Sequence, residues 1–370
     1  MRAFVFTDSA LERHAGRFVW LSVDTDNEAN AGFLEKYRMR VYPTLMVVDP
    51  AREQPALTWV GTATVRQIED LLDDAGRAMR GKGRGPDALL IKGDRLIADA
   101  DAEGAAAAYR QALSKEKPGW PQHDRAVESL LSALELSNQD GECAALAIER
   151  IPEEIDRHYA AVANWGLGCA LGLEGEARTA GIAALEPAVR AAVAASDLDW
   201  TADDRSGALQ LLVSAREASG DDAGAKAAAV EWLEFLETEA ARAPTPSARA
   251  VFDSHRVSAA IAAGDPERAI PALVQSERDF PDDYNPPARM AYVLLEAKRY
   301  DEALAASDRA LKLAHGPRRI NLLTTRSDIL AARGDSAAAK ATIEEAIRYA
   351  ESLPTSQVSQ ARIASLRKRL

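Results

Sequence analysis

Apolar positions follow two different periods along this chain. Near its start they form short unbroken runs: Phe18-Val19-Trp20-Leu21-Ser22-Val23, then VYPTLMVV over 41–48, then Leu57-Thr58-Trp59-Val60-Gly61. Runs of this length, bounded by turn residues, predict buried strands. Between them, Ala29, Phe33, Leu34 and Tyr37 recur at helical spacing, as do Ile68, Leu71 and Leu72 over 65–78. The expected order is β-α-β-β-α, with the second and third strands as a hairpin. The segment MRGKGRGP over 79–86 then breaks the pattern with three glycines and a proline, a linker signal. From residue 87 onward Ala, Glu, Leu and Arg dominate, all strong helix formers. This divides the chain into a first domain over 1–79, a linker over 80–86 and a helical region over 87–370.

The helical region repeats itself. Ala269 to Ala303 is 34 residues, Ser276 to Ala310 is 34, and Ala303 to Ala339 is 36. Small-residue marks fall at Ala105, Ala144, Ala180, Ala225, Ala269, Ala303 and Ala339, which predicts seven helical hairpins. One hairpin cannot bury its apolar face alone, so neighbours must stack. Val358, Ile363, Leu366 and Leu370 give the last helix one apolar face, as a terminal cap requires.

The 34-residue period, the small positions Ala291, Ala303 and Ala310, and Leu294, Tyr300 and Pro281 resemble the tetratricopeptide repeat. That resemblance implies an all-α solenoid whose first helices line a groove holding peptide segments. By alignment His255, Arg289, Tyr292, Asn321 and Thr325 face the groove. Ala288 and Tyr292 take two positions of the family's carboxylate clamp, so a clamp for a peptide's carboxyl terminus is not expected.

The stretch VDTDNEANAGFLEKYRMRVYPTLMVVDP, followed by WVG and a helix, resembles the second half of a thioredoxin-fold domain. The features are Val23-Asp24, Tyr37, Tyr42-Pro43-Thr44 and Gly61. The resemblance implies an α/β thioredoxin-like first domain in which Pro43, flanked by Tyr42 and Thr44, is the family's cis-proline. The departure is chemical. Thioredoxins attack disulfides with the low-pKa thiolate of a CxxC pair, and no cysteine precedes Cys143. Phe4-x-Phe6-Thr7-Asp8 followed by Phe18-Val19 resembles the segment just after CxxC, which sets the motif upstream of Met1. Two readings stay open: the chain is an incomplete version of a longer product, or Arg2 to Phe6 is itself the central strand. In the second, Thr7-Asp8-Ser9 caps a short helix through His14.

Charge narrows the function classes. Lys+Arg is 45 and Asp+Glu is 57, giving −12. Residues 1–86 hold 12 of each sign, so the excess belongs to the helical region. An anionic chain lacks the basic face that nucleic acid requires. No run reaches the ~18 apolar residues of a membrane span. With Met1 as the start, no secretory signal is present and the expected location is cytoplasmic. The Ala/Arg-rich composition points to a GC-rich bacterial genome. Cys143 and Cys169 are the only cysteines and are expected as small buried core residues rather than a disulfide framework. The five histidines show no zinc spacing. Asp253-Ser254-His255 carries triad residue types, but adjacency is not triad geometry. No catalytic residue, metal or cofactor is expected. Two functions follow: an interaction scaffold with a redox-inactive first domain and a peptide- or protein-binding groove, or a thiol–disulfide oxidoreductase whose CxxC lies upstream of Met1.

Overall fold

The computed structural model describes residues 5–37, 42–79, 84–198 and 200–370. In chain order its elements are α1 (Ala31–Lys36), β1 (Thr44–Asp49), β2 (Gln54–Val60), α2 (Val65–Met79), α3 (Pro86–Ala98), α4 (Ala102–Ser114), α5 (His123–Leu136), α6 (Asp140–Arg150), α7 (Arg157–Gly172) and α8 (Gly175–Ala194). There follow α9 (Ala202–Ala218), α10 (Asp222–Arg242), α11 (Pro246–Ala250), α12 (Asp253–Ala262), α13 (Ile270–Asp279), α14 (Asn285–Glu296), α15 (Tyr300–Leu313), α16 (Gly316–Arg333), α17 (Ser336–Ser352) and α18 (Gln360–Arg367). These residues form two compact units, Met1–Val19 with Tyr37–Ala228, and Trp20–Lys36 with Ala229–Leu370.

In the first unit β1 and β2 form an antiparallel pair, Thr44 opposite Val60 and Asp49 opposite Gln54, with an irregularity between Val47 and Val48. One face of this hairpin buries Leu57 with partly buried Leu45, Val47 and Trp59. They pack on Ile68, Leu71, Leu72 and Ala75 of α2 and on Leu11 of a 3-10 turn over Ser9–His14. Asp8 caps that turn by accepting from the Ala10 amide at 2.8 Å. Three helical hairpins follow, α3/α4, α5/α6 and α7/α8, and then α9.

The expected strand over Phe18–Val23 does not form. Among the described residues the sheet has two strands, and Val19 and Leu21 are 87% and 79% exposed. An apolar run becomes a strand only where a partner supplies a ladder. Here the chain from Trp20 groups with the other unit. Of the alternative strand Arg2 to Phe6, residues 2–4 lie outside the described residues, and Val5 and Phe6 sit in a turn. Of the linker, residues 80–83 lie outside them as well, while Pro86 opens α3 at its first turn, where a missing amide costs nothing.

The second unit contains α12, which packs on a 3-10 turn over Pro266–Ala269 that leads into α13, and the hairpins α14/α15 and α16/α17. Val358, Ile363 and Leu366 are buried against Ile320, Leu323, Ile343 and Ile347, so α18 covers the last hairpin. Leu370, expected on that buried face, is half exposed.

One turn is repeated through both units. Six first helices (α3, α5, α9, α12, α14, α16) end on a residue with φ between 58° and 95°: Ala100, Asn138, Gly220, Gly264, Lys298 and Gly334. The next amide then donates to the carbonyl five residues back, at 2.8–3.0 Å in every case. This is the Schellman bond pair that satisfies a helix's last carbonyls. Asp101, Asp221 and Asp335 then cap the following helix, accepting at 2.9, 2.9 and 3.0 Å. Where the turn residue is not glycine, the left-handed backbone is strained. Ala100→Gly and Lys298→Gly are each expected to raise stability by about 0.5–1 kcal/mol, read as a higher urea midpoint at unchanged slope.

The small-residue marks lie early in the second helices or, for Ala269, in the 3-10 turn that leads into one, and Ala105, Ala269 and Ala303 are fully buried. Ala180 is an exception because it is exposed. The close approach belongs to Gly181, where a Cβ would stand 2.8 Å from that of Ala170. The cysteines also differ from expectation. Cys143 of α6 and Cys169 of α7 form a disulfide with Cα atoms 6.0 Å apart. A separation of 26 residues places them on adjacent hairpins, a neighbourhood that spacing alone does not reveal.

Candidate functional site

The five groove positions expected from the sequence all lie on first helices of the second unit: His255 on α12, Arg289 and Tyr292 on α14, Asn321 and Thr325 on α16. Arg289 and Tyr292 are three residues apart, so they share a helix face. Tyr292 is 44% exposed, unusual for so large an apolar ring. His255 packs its ring on Trp232, centroids 5.9 Å apart. Asn321 accepts from the Arg362 guanidinium of α18 at 2.6 Å, and the Thr325 hydroxyl donates to the Asn321 carbonyl at 3.2 Å. Asn321 is thus tied to α18 and Thr325 bonds back within its own helix, whereas Tyr292 projects.

Behind this face lies a buried ion pair. Asp253 and Arg256 are 1% and 5% exposed, 3.5 Å apart and one turn along α12. Burial pushes the Asp253 carboxyl above the usual carboxylate range, and Ser276 first, then the guanidinium groups of Arg256, Arg289 and Arg249, work against that shift. Burial likewise lowers Arg256.

In the first unit the comparable helices are already engaged. Ala56, Leu57 and Thr58 of β2 are buried, and β2 packs along α3 and α5. The Arg125 guanidinium of α5 donates to Asp94 of α3 at 2.5 Å and lies 3.6 Å from Asp74 of α2. The Tyr109 hydroxyl donates to Asp94 at 2.9 Å, and Gln122 donates to Asp74 at 3.1 Å. Gln67 of α2 donates to Glu128 of α5 at 3.4 Å, and Glu128 lies 2.9 Å from His158 Nδ1 of α7. The Thr62 hydroxyl donates to Asp204 of α9 at 2.7 Å. Burial raises Asp94 above its ordinary value, against the opposing pull of Arg125 and Tyr109. Burial, then the Asp94 charge, raises Tyr109 well above its own.

Between β2 and these helices a cleft of about 310 Å³, its open mouth included, is lined by Thr58, Trp59, Val60, Ile97, Tyr109, Glu128, Ser129, Ser132 and Trp165. The hydroxyls of Thr58 and Ser132 have no hydrogen-bond partner there among the described residues. Buried hydroxyls of this kind are usually satisfied by ordered water.

The Tyr42–Pro43 peptide bond is cis, and the Pro43 carbonyl accepts from the Gly61 amide at 2.9 Å just before β1. Thr44 opens β1. Among the described residues no group of three or more His, Cys, Asp or Glu is placed to hold a metal ion. Among the described residues no helix is long and apolar enough to cross a membrane.

Sequence reasoning missed the burial of Asp94 and Glu128 and the partly buried Arg125 that pairs with Asp94. The available signal was a set of charged residues on core-facing positions of α3 and α5, which calls for a partner element.

The family profile described as "Tetratricopeptide repeat" matches residues 260–327, from the end of α12 into α16. Among solved structures, a tetratricopeptide repeat protein from Parabacteroides merdae ATCC 43184 is similar at 12% identity, covering 77% of this chain and 98% of that one, with a TM-score of 0.48. The TPR2AB-domain:pHSP90 complex of yeast Sti1 is similar at 13% identity, covering 77% and 97%, with a TM-score of 0.29. No curated protein matches the chain.

Proposed function

We propose that this chain, which carries a tetratricopeptide repeat region at residues 260–327, is an interaction scaffold. Its partner-binding surface is the first-helix face of α12, α14 and α16. The observation that carries the reading is the contrast between the two units. In the first, the face of α3 and α5 is covered by the chain's own β2 and α2. In the second, Tyr292 stands 44% exposed beside Arg289, and tyrosine and arginine are the residue types that dominate binding energy at interfaces. The partner is a protein or peptide segment. His255, Asn321 and Thr325 flank the centre of the face.

The segment around Pro43 serves in this reading as a thioredoxin-like docking module without redox chemistry. Thiol–disulfide exchange needs a free thiolate. Support comes from the sequence, which has two cysteines, and from their union in a single buried disulfide.

A photo-crosslinking residue at position 292 tests the surface. The expected result is capture of a discrete partner that Arg289→Glu weakens by about tenfold or more, the scale of a single interface anchor. Capture that is indifferent to Arg289→Glu and equally efficient from a residue on α15 would refute it.

A further inference from the structure

The segment after the absent first strand does not trail free. Within the second unit, Asp24-Thr25-Asp26 lies across the first turn of α16. The Asp26 carboxylate accepts from Arg318 Nε at 2.9 Å. The Asp24 carboxylate lies 3.3 Å from His315 Nε2. The Gln357 side-chain amide donates to the Thr25 carbonyl at 3.1 Å. The segment is shaped beforehand by its own side chains. Asp24 accepts from the Asp26 amide at 3.0 Å, Asn27 accepts from the Ala29 amide at 2.9 Å, and Asn30 donates to the Asp24 carbonyl at 2.7 Å. These are the local turns that aspartate and asparagine favour.

The receiving surface is fitted to this segment at one more point. Gly316 has φ +56°, and a Cβ built there would collide with the Asp26 carbonyl. Only glycine satisfies both the left-handed backbone and the close approach. Tyr284, which immediately precedes α14, sits within electrostatic reach of both Arg318 and Asp26.

The geometry points to an acidic-segment site at the start of α16, made by His315, Gly316, Arg318 and Gln357 and occupied in cis by Asp24-Thr25-Asp26. The inference rests on the scaffold reading for its consequence. Arg318, Asn321 and Thr325 stand at i, i+3 and i+7, one stripe of α16. The strap therefore covers one end of the proposed partner face. Its side-chain ties are a partly exposed ion pair and a histidine–carboxylate contact: Arg318 and His315 are 49% and 57% exposed at their side chains. Such pairs are individually weak and are screened by salt. What holds the strap is its high effective concentration in cis. The partner this site fits is a segment that turns as the strap does, with two carboxylates two residues apart, and that displaces the strap as it enters the groove.

The test uses the full chain and a labelled peptide of its own residues 20–36, added in trans. In the Asp24→Lys/Asp26→Lys variant the site is vacated. The peptide is expected to bind this variant at least about tenfold more tightly than it binds the unaltered chain. It should lose about tenfold on addition of Arg318→Glu, the scale of one charge-assisted hydrogen bond. The same peptide with asparagine for both aspartates should bind weakly throughout. The milder Asp24→Asn/Asp26→Asn chain guards against misfolding, and circular dichroism checks both. Equal binding to the unaltered and vacated chains overturns the inference, as does no binding to either vacated chain or indifference to Arg318→Glu. None of these outcomes depends on a partner being captured at position 292, so the strap and the scaffold reading fail separately.

Discussion

Arg125→Ala is expected to destabilise the first unit by about 3–5 kcal/mol, the usual result of removing one member of a buried charge set. Asp94 is fully buried and Asp74 is 9% exposed, and Arg125 is the cation close to both. Without it, Asp94 keeps only the Tyr109 hydroxyl and backbone support, and its carboxylate remains desolvated. The set joins α2 to α3 and α5, so the loss should appear as a lower urea midpoint together with faster proteolysis within 42–79. Tyr109→Phe gives a gauge. It removes one bond at 2.9 Å and should cost about 1–3 kcal/mol. The pH dependence follows from the sign of the Asp94 shift. Its folded-state value is raised above the ordinary 3.8 by burial, so ionised Asp94 opposes folding and protonated Asp94 does not. Removing Arg125 raises that value further. The Arg125→Ala penalty should therefore shrink as pH falls towards 4, and Asp94→Asn added to Arg125→Ala should recover part of it at neutral pH. A penalty independent of both would mean that Arg125 acts through packing alone.

The second large effect concerns the disulfide. Reducing Cys143–Cys169 frees a loop spanning a separation of 26 residues in the unfolded chain, which the chain-entropy account values at about 2–4 kcal/mol. Both sulfurs are buried, so reduction should require partial opening of α6 from α7 and be slow under native conditions. Calorimetry of the oxidised chain against Cys143→Ala/Cys169→Ala should show unfolding at a lower temperature in the variant. Thiol titration of the unfolded oxidised chain should find no free sulfhydryl. Two free thiols there would show that the bond does not form in the isolated protein.

These expectations separate what local pattern carries from what only tertiary contact carries. The hairpin of β1 and β2, α2, and the helical hairpins were legible because each announces itself by periodicity within a short window. The alanine marks worked for the same reason, since a second helix must approach its partner closely at one early position. Ala180 misled because Gly181 beside it is smaller still, and the smaller residue took the contact. Phe18–Val23 looked like a strand because composition cannot say whether a ladder is on offer. The cysteines looked like separate core residues because their proximity depends on the stacking of α6 and α7. The groove positions could be placed on first helices from the repeat alone. That β2 lies along α3 and α5, or that Asp26 reaches Arg318, is a matter of docking between segments far apart in the chain, and no periodicity encodes it.

The bond between α6 and α7 also bears on how the chain yields under load. Helical hairpins stacked in series can be peeled away one at a time, each adding its length to the extension. The stretch between Cys143 and Cys169 cannot be drawn out, and about 90 Å of contour stays withheld at ~3.5 Å per residue. A tether pulled at both ends would therefore come to full extension short by that amount, and reductant would restore it.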